Sequence, residues 1–243
     1  MSPPTLAIRR LSVIEAHSLW AESYDRSPNP LLALEERMVG PLLPILEEML
    51  TINVACGTGR WLANLLHRGA RLGVGLDLSP EMLKQARSKP PLQDRLIRAD
   101  CAAMPIRGGA ADLAMCSFVV SYLPDLHCFA RELSRIVRNP GHLFLTDFHP
   151  SAHLRGWTRT FRHNGTVVEI SSFRHSSAEI RSVFAAEGFE LVTCIEPCFG
   201  EAERHIFEEC GKGHLFEQLC RQPAIFICHF RMPGGRISRR VQR

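Results

Sequence analysis

The chain has 243 residues, 45% of them hydrophobic and 22% charged, which suits one domain with a sizeable core and excludes a disordered chain. A formal charge of +4 is mildly basic, and much of the excess lies in the tail RISRRVQR, which reads first as a solvated end and second as a phosphate-binding arm. The opening MSPPTLAIRR lacks the apolar stretch of a secretory signal, no apolar run is long enough to span a bilayer, and nine scattered cysteines, an odd count, read as small hydrophobes, so the expected setting is cytoplasmic with no membrane.

Two or three helices are expected first, over LSVIEAHSLWAESYDRS and NPLLALEERMVGPLLPILEEML, from apolar residues at helical spacing. From Thr51 the style changes to short apolar runs alternating with amphipathic segments. TINVA predicts a strand and TGRWLANLLHRG a helix; RLGVGLD predicts a strand and SPEMLKQARSK a helix, capped by Ser79 with Pro80 in its first turn. RLIRAD and AADLAMCSF predict two more strands. PDLHCFARELSRIVR is a helix ending near Asn139-Pro140-Gly141, and HLFLTDF is the fifth strand. Strands alternating with helices imply a parallel sheet covered on both faces.

After Phe148 the alternation pauses, and Asn164-Gly165 between two β-rich stretches predicts a hairpin. Helix SSAEIRSVFAAEG, strand FELVTCIEP, helical segments around EAERHIFEE and HLFEQLCRQ, and strand AIFICHF complete the chain, with no repeat or linker.

The stretch TINVACGTGRWLANLL carries the first chemical signal. Gly57 and Gly59 sit at the seam between a strand and a helix, where positive φ or a closely approaching ligand calls for glycine. Asp77 ends the next strand, 20 positions beyond Gly57, and suits two ribose hydroxyls. A dinucleotide fits up to this point, but the third glycine of a pyrophosphate loop is Leu62. Asp100-Cys101 ends the third strand, where a carboxylate can meet an adenine amine, so an adenosine without pyrophosphate is the better fit.

Here a resemblance enters. ACGTG, GVGLDLSPEMLKQAR, IRADCAAMPI and LSRIVRNPGHLFLTDFHP, over about 100 residues and in this order, resemble the class I S-adenosylmethionine-dependent methyltransferases, closest to the small-molecule branch with a type 11 core. The resemblance implies a Rossmann-like, seven-stranded, mostly parallel α/β sheet with helices on both faces and an antiparallel last strand. It implies one methyltransferase domain, with residues 1–50 as an N-terminal helical lid, 51–150 as cofactor-binding core and 151–173 as a cap hairpin inserted after strand five; residues 174–235 complete the sheet and 236–243 form the basic tail. The cofactor it implies is S-adenosylmethionine, leaving as S-adenosylhomocysteine. Contacts are expected from Ala55, Cys56, Gly57 and Gly59 in the turn, Asp77 and Leu78, Asp100 to Ala102 (with Cys101 between), and Ser117. Tyr24 is a candidate for the cofactor carboxylate or for helix packing. The family's strand-one acid is Asn53 here and its first loop glycine is Ala55, which should weaken recognition of the cofactor's ammonium group.

The acceptor pocket is expected from Trp20, Tyr122, His149, His153 and Trp157. His149, just past strand five, is the first candidate base, against a structural histidine bonding its own loop; Tyr122 is the second catalytic candidate, against a pocket wall. Arg155 and Arg159 could pair with an acidic acceptor or be solvated.

Other readings are open. Cys194, Cys198, His205, Cys210 and His214 lack the tight pairing of zinc ligands, so no metal is expected. The segment CSFVVSYLP lacks the Asp/Asn-Pro-Pro-aromatic signature of amino-directed base methylation, which argues against nucleic acid as partner and for a small-molecule acceptor. A non-catalytic, partner-stabilising relative is the rival that Asn53 and Ala55 motivate. A homodimer is left open.

Overall fold

The computed structural model describes residues 8–234, so the basic tail at 236–243 lies outside the described residues. The described residues begin with strand β1 (Ile8–Leu11), then helices α1 (Val13–Tyr24) and α2 (Pro30–Val39). The alternating part runs β2 (Leu50–Val54), α3 (Arg60–His67), β3 (Leu72–Asp77), α4 (Pro80–Arg87), β4 (Leu96–Arg98), β5 (Ala111–Ser117), α5 (Leu126–Ile136) and β6 (Val137–Phe148). The remainder is α6 (Pro150–Leu154), β7 (Thr160–His163), β8 (Thr166–Ile170), α7 (Ser177–Ala186), β9 (Glu190–Ile195), α8 (Glu201–Glu209), α9 (Phe216–Leu219) and β10 (Ile225–Met232).

Local chemistry sets the helix starts. Ser12 and Ser176 close capping boxes with Glu15 and Glu179, and Ser79 accepts from the Met82 amide while Pro80 takes the first turn, where its missing N–H costs nothing. Helix α5 stops at Ile136, short of the expected Asn139-Pro140-Gly141, and Val137 is already extended. A residue before proline disfavours the helical basin, and a β-branched valine accepts the strand, so β6 starts five residues earlier than HLFLTDF.

The main sheet has seven strands in the order β4-β3-β2-β5-β6-β10-β9, as the resemblance implied, with β10 antiparallel to both neighbours. Side chains alternate across it. Ala114, Cys116, Leu143 and Leu145 face α5 and α7 in one core. Leu113, Met115, Phe144 and Ile227 face α2, α3 and α8 in the other. Both faces are therefore covered by helices.

One element was not expected from the sequence. Instead of a purely helical N-terminal segment, Ile8–Leu11 forms a strand that pairs in parallel with β8, giving a separate three-stranded sheet β1-β8-β7. The β7–β8 turn has Asn164 and Gly165 both at positive φ, the geometry that Asn-Gly favours. Phe161, Val168 and Ile170 of the hairpin pack on Leu11 and Ala16, so N-terminal segment and hairpin share one small core. Trp20 stacks on Phe161 at 4.8 Å and 2°. The N-terminal segment and the hairpin after β6 are one structural unit.

The cysteines are also not all free. Cys194 and Cys228 oppose each other across β9 and β10 and form a disulfide, while Cys56 and Cys116 are buried thiols. No helix among the described residues is long and apolar enough to cross a membrane.

Candidate active site

A parallel sheet opens its crevice at the carboxyl ends of its strands, and the turn leaving β2 occupies that place. Ala55, Gly57 and Gly59 all hold positive φ, 51°, 54° and 77°. The turn is pinned from the neighbouring strand. Asp77 accepts from the Gly57 amide at 2.7 Å and from the Ser79 amide at 2.8 Å, and the Cys56 amide donates to the Leu76 carbonyl at 2.8 Å. Burial pushes the Asp77 carboxyl up, and the amide donors from Ser79, Gly57 and Leu78 oppose that. With three amide donors on a carboxylate that has about four acceptor sites, one site remains for a further donor.

Around this turn lies a cavity of about 840 Å³, whose wall includes Tyr24, Asn53, Ala55, Cys56, Gly57, Asp77 and Ser117. Trp20, Tyr122 and Trp157 line the same space. Of the candidate residues, Gly59, Leu78, Asp100, Cys101, Ala102 and His149 do not line it. Leu78 is exposed, and Asp100 closes its own turn by accepting from the Ala102 amide at 2.8 Å. That turn follows β4, whose Arg98 is the strand partner of Asp77, so it stands beside the acid. Burial pushes the Cys101 thiol up to about 12, with Asp100 adding to it. His153 lies on α6, with its side chain outside the described residues.

Two candidates need correction. Asn53 reaches the cavity wall, and its side chain is engaged within the fold: its Oδ1 accepts from the Leu62 amide at 3.1 Å and its Nδ2 donates to the Met115 carbonyl at 3.0 Å. It ties β2 to α3 and β5. His149 is the structural histidine of its loop. Its Nδ1 is 2.7 Å from Ser151 Oγ and its Nε2 is 3.3 Å from the Glu196 carboxylate, away from the cavity.

Three wall residues escaped the sequence reading or were left undecided there. Arg159 is buried, ion-paired with Asp147, and donates to Tyr122 Oη at 3.3 Å, with its guanidinium 4.5 Å from the Tyr122 ring centre. Burial pushes the Tyr122 hydroxyl up, against the pull of Arg159, so it stays protonated. His17 meets Tyr122 edge-on at 5.3 Å and is held neutral, down at about 4, by burial and then by Arg159. Arg60 follows the turn directly and pairs with Glu35, a fully buried carboxylate of α2. A signal for Arg60 existed: a cation in the first turn of a helix opposes the helix dipole and calls for a reason. Glu35, inside LEERM, offered none.

The turn, the acid on the next strand and the sheet order define a fold class, the Rossmann-like seven-stranded α/β sheet with a ligand turn after its first core strand. Solved structures bear out the fold: an S-adenosylmethionine-dependent methyltransferase from Mesorhizobium loti has a TM-score of 0.66 at 21% identity, covering 84% of this chain and 100% of its own. Geranyl diphosphate C-methyltransferase from Streptomyces coelicolor A3(2) has a TM-score of 0.60 at 15% identity, covering 83% of this chain and 79% of its own. Residues 52–145 match the type 11 methyltransferase domain, so this span of the chain is similar to that family. Similar curated proteins include the malonyl-[acyl-carrier protein] O-methyltransferases of Serratia marcescens (29% identity, 76% of this chain and 71% of the relative) and Hamiltonella defensa (28%, 85% and 79%).

The residues present fit S-adenosylmethionine. A Cβ on Gly57 would meet nothing within 4 Å, so its backbone is open to a close ligand.

Proposed function

We propose that the chain methylates a small organic acceptor held between the glycine turn and the cap. The cofactor supplies an already activated methyl group, so the protein's task is alignment and exclusion of water. Alignment alone can lower a barrier by roughly 7–11 kcal/mol. The backbone at Ala55, Cys56 and Gly57 and the Asp77 carboxylate would hold the adenosine ribose, with Leu78, Asp100, Cys101 and Ala102 on the adenine side and Ser117 beside the turn. Gly59 shapes the turn, and Tyr24 borders it. Trp20, Tyr122 and Trp157 form the acceptor wall. Tyr122, accepting from Arg159, points its own proton elsewhere and serves as a donor that orients the acceptor rather than as a base. Oxygen is the accepting atom we favour over nitrogen or carbon: the two relatives above are O-methyltransferases, and Tyr122 and Arg159 are donors on this wall. Seven cysteines remain free thiols, which supports a cytoplasmic setting despite the one disulfide. All the groups named lie in one chain, so the proposal needs no second copy.

The observation that carries this reading is continuity: one cavity is lined both by the turn with Asp77 and by the aromatic cap. Calorimetry with S-adenosylhomocysteine tests it. The wild-type chain should bind one equivalent, and Asp77→Ala should weaken binding by roughly 100-fold or more, since hydrogen bonds to a charged group are lost. Undiminished binding by Asp77→Ala would sink the reading.

A further inference from the structure

Strands β9 and β10 are antiparallel neighbours, a pairing that about 2–5 connecting residues can close. Here residues 196–224 intervene and build α8 and α9. The excursion is closed at its base, where the Ala224 amide donates to the Pro197 carbonyl at 3.0 Å. It is also pinned to the N-terminal helices. The Arg37 guanidinium of α2 donates twice to the buried Glu203 carboxylate of α8, at 2.7 and 2.9 Å, and the Cys210 thiol donates to the Pro28 carbonyl at 3.1 Å. A forked pair of this kind fixes direction as well as distance, so α8 stands beside α2 as a fixed wall.

The cavity that starts at the glycine turn continues along this wall. Leu31 and Leu32 of α2, Leu215 and Leu219 at the two ends of the α9 turn, and Phe148 and Trp157 on the cap side all line it. All six are only partly buried. Apolar surface left wet is stability forgone, unless a ligand covers it. Behind this surface the rings run in series: Phe148 to Trp157 at 6.3 Å, Trp157 to Phe199 at 6.5 Å and Phe199 to Phe207 at 4.8 Å. Interlocked aromatic rings keep the arm from collapsing onto itself. Glu209 and Lys212, both exposed, line the outer part of the same cavity. The arm thus has an apolar interior, a charged rim, and Tyr122 with Arg159 on the wall near the turn.

We infer that this arm is a tail site, and that the methyl acceptor is amphipathic: a polar head that takes the methyl group beside the turn, and a hydrocarbon tail lying between α2 and the α8–α9 excursion. The inference rests on the function proposed above and narrows its substrate class. An acceptor small enough to sit under the cap alone would leave the leucine-lined arm uncovered. Leu31 and Leu215 are specificity-determining residues for the tail, with no part in the chemistry at the head.

Calorimetry with butanoate, hexanoate, octanoate and decanoate, on the chain alone and on the chain saturated with S-adenosylhomocysteine, tests it. Affinity should rise about 3- to 4-fold per added methylene in both series until the arm is full. Saturating decanoate should leave S-adenosylhomocysteine binding unchanged, because tail and cofactor occupy different parts of the cavity. Leu215→Asp should flatten the chain-length dependence while the S-adenosylhomocysteine titration stays as in the wild-type chain. Leu31→Gln, on the facing helix, should do the same and serves if Leu215→Asp does not fold by circular dichroism. A wild-type affinity independent of chain length, a slope kept by the folded variants, or displacement of S-adenosylhomocysteine by decanoate would overturn the inference. A chain-length slope in a chain that fails to bind S-adenosylhomocysteine would support the tail site and overturn the methyl-transfer reading instead.

Discussion

Gly57 and Gly59 look alike in sequence and occupy opposite environments. Both hold positive φ, where a side chain costs about 1–2 kcal/mol. A Cβ on Gly57 meets only the cavity, whereas on Gly59 it would collide with Leu92 Cδ1, part of a fully buried side chain. Gly57→Ala should therefore cost about 1–2 kcal/mol in urea unfolding yet sharply weaken S-adenosylhomocysteine in calorimetry. Gly59→Ala should show the reverse emphasis, losing roughly 2–4 kcal/mol of stability through strain plus overpacking. Wild-type affinity in Gly57→Ala would contradict the closeness of ligand to backbone. Ala55 already carries a side chain at φ 51°, so this chain accepts such strain at the first position of the turn.

At the scale of elements, α1 and the β1-β8-β7 sheet form a roof whose underside carries a titratable group. His17 is held down at about 4 by burial and then by Arg159, while an unfolded histidine titrates near 6.5. Below about pH 6.5 the unfolded chain binds a proton that the folded chain refuses, so stability falls as pH drops toward about 4. The slope is up to about 1.4 kcal/mol per pH unit. His229, also down at about 4 through burial and then His142, adds a contribution of the same sign from β10. Urea unfolding of His17→Gln at about pH 7 and about pH 5 isolates the roof: the variant should lose less stability on acidification than the wild-type chain. An unchanged pH slope would mean that His17 is solvated.

At the scale of the molecule, core and roof are joined by a buried ion pair, Asp147 of β6 with Arg159 of the cap. Asp147 also receives the Ser121 amide at 2.8 Å, and so fixes the segment bearing Tyr122. Removing one partner of such a pair leaves an uncompensated charge, so Asp147→Asn should destabilise by about 3–5 kcal/mol. The double variant Asp147→Asn/Arg159→Met should recover part of it in urea unfolding, and no recovery would argue against the pair as the joint.

The seven strands of the main sheet, the helix starts, the Asn-Gly hairpin and the glycine turn with Asp77 were legible from residues alone. Each is a local demand: alternation, a cap, or a positive φ answered by neighbouring residue types. β1 was illegible because IRRL is short, polar at its centre and stable only against β8. The fates of Asn53 and His149, and the pairs Glu35 with Arg60 and Asp147 with Arg159, had to await the tertiary structure. A titratable side chain reads the same on a solvated face as beside a cavity, and only folding selects its partner. His149 found Glu196 and Ser151, while Arg60 found a carboxylate 25 residues away and kept one donor over.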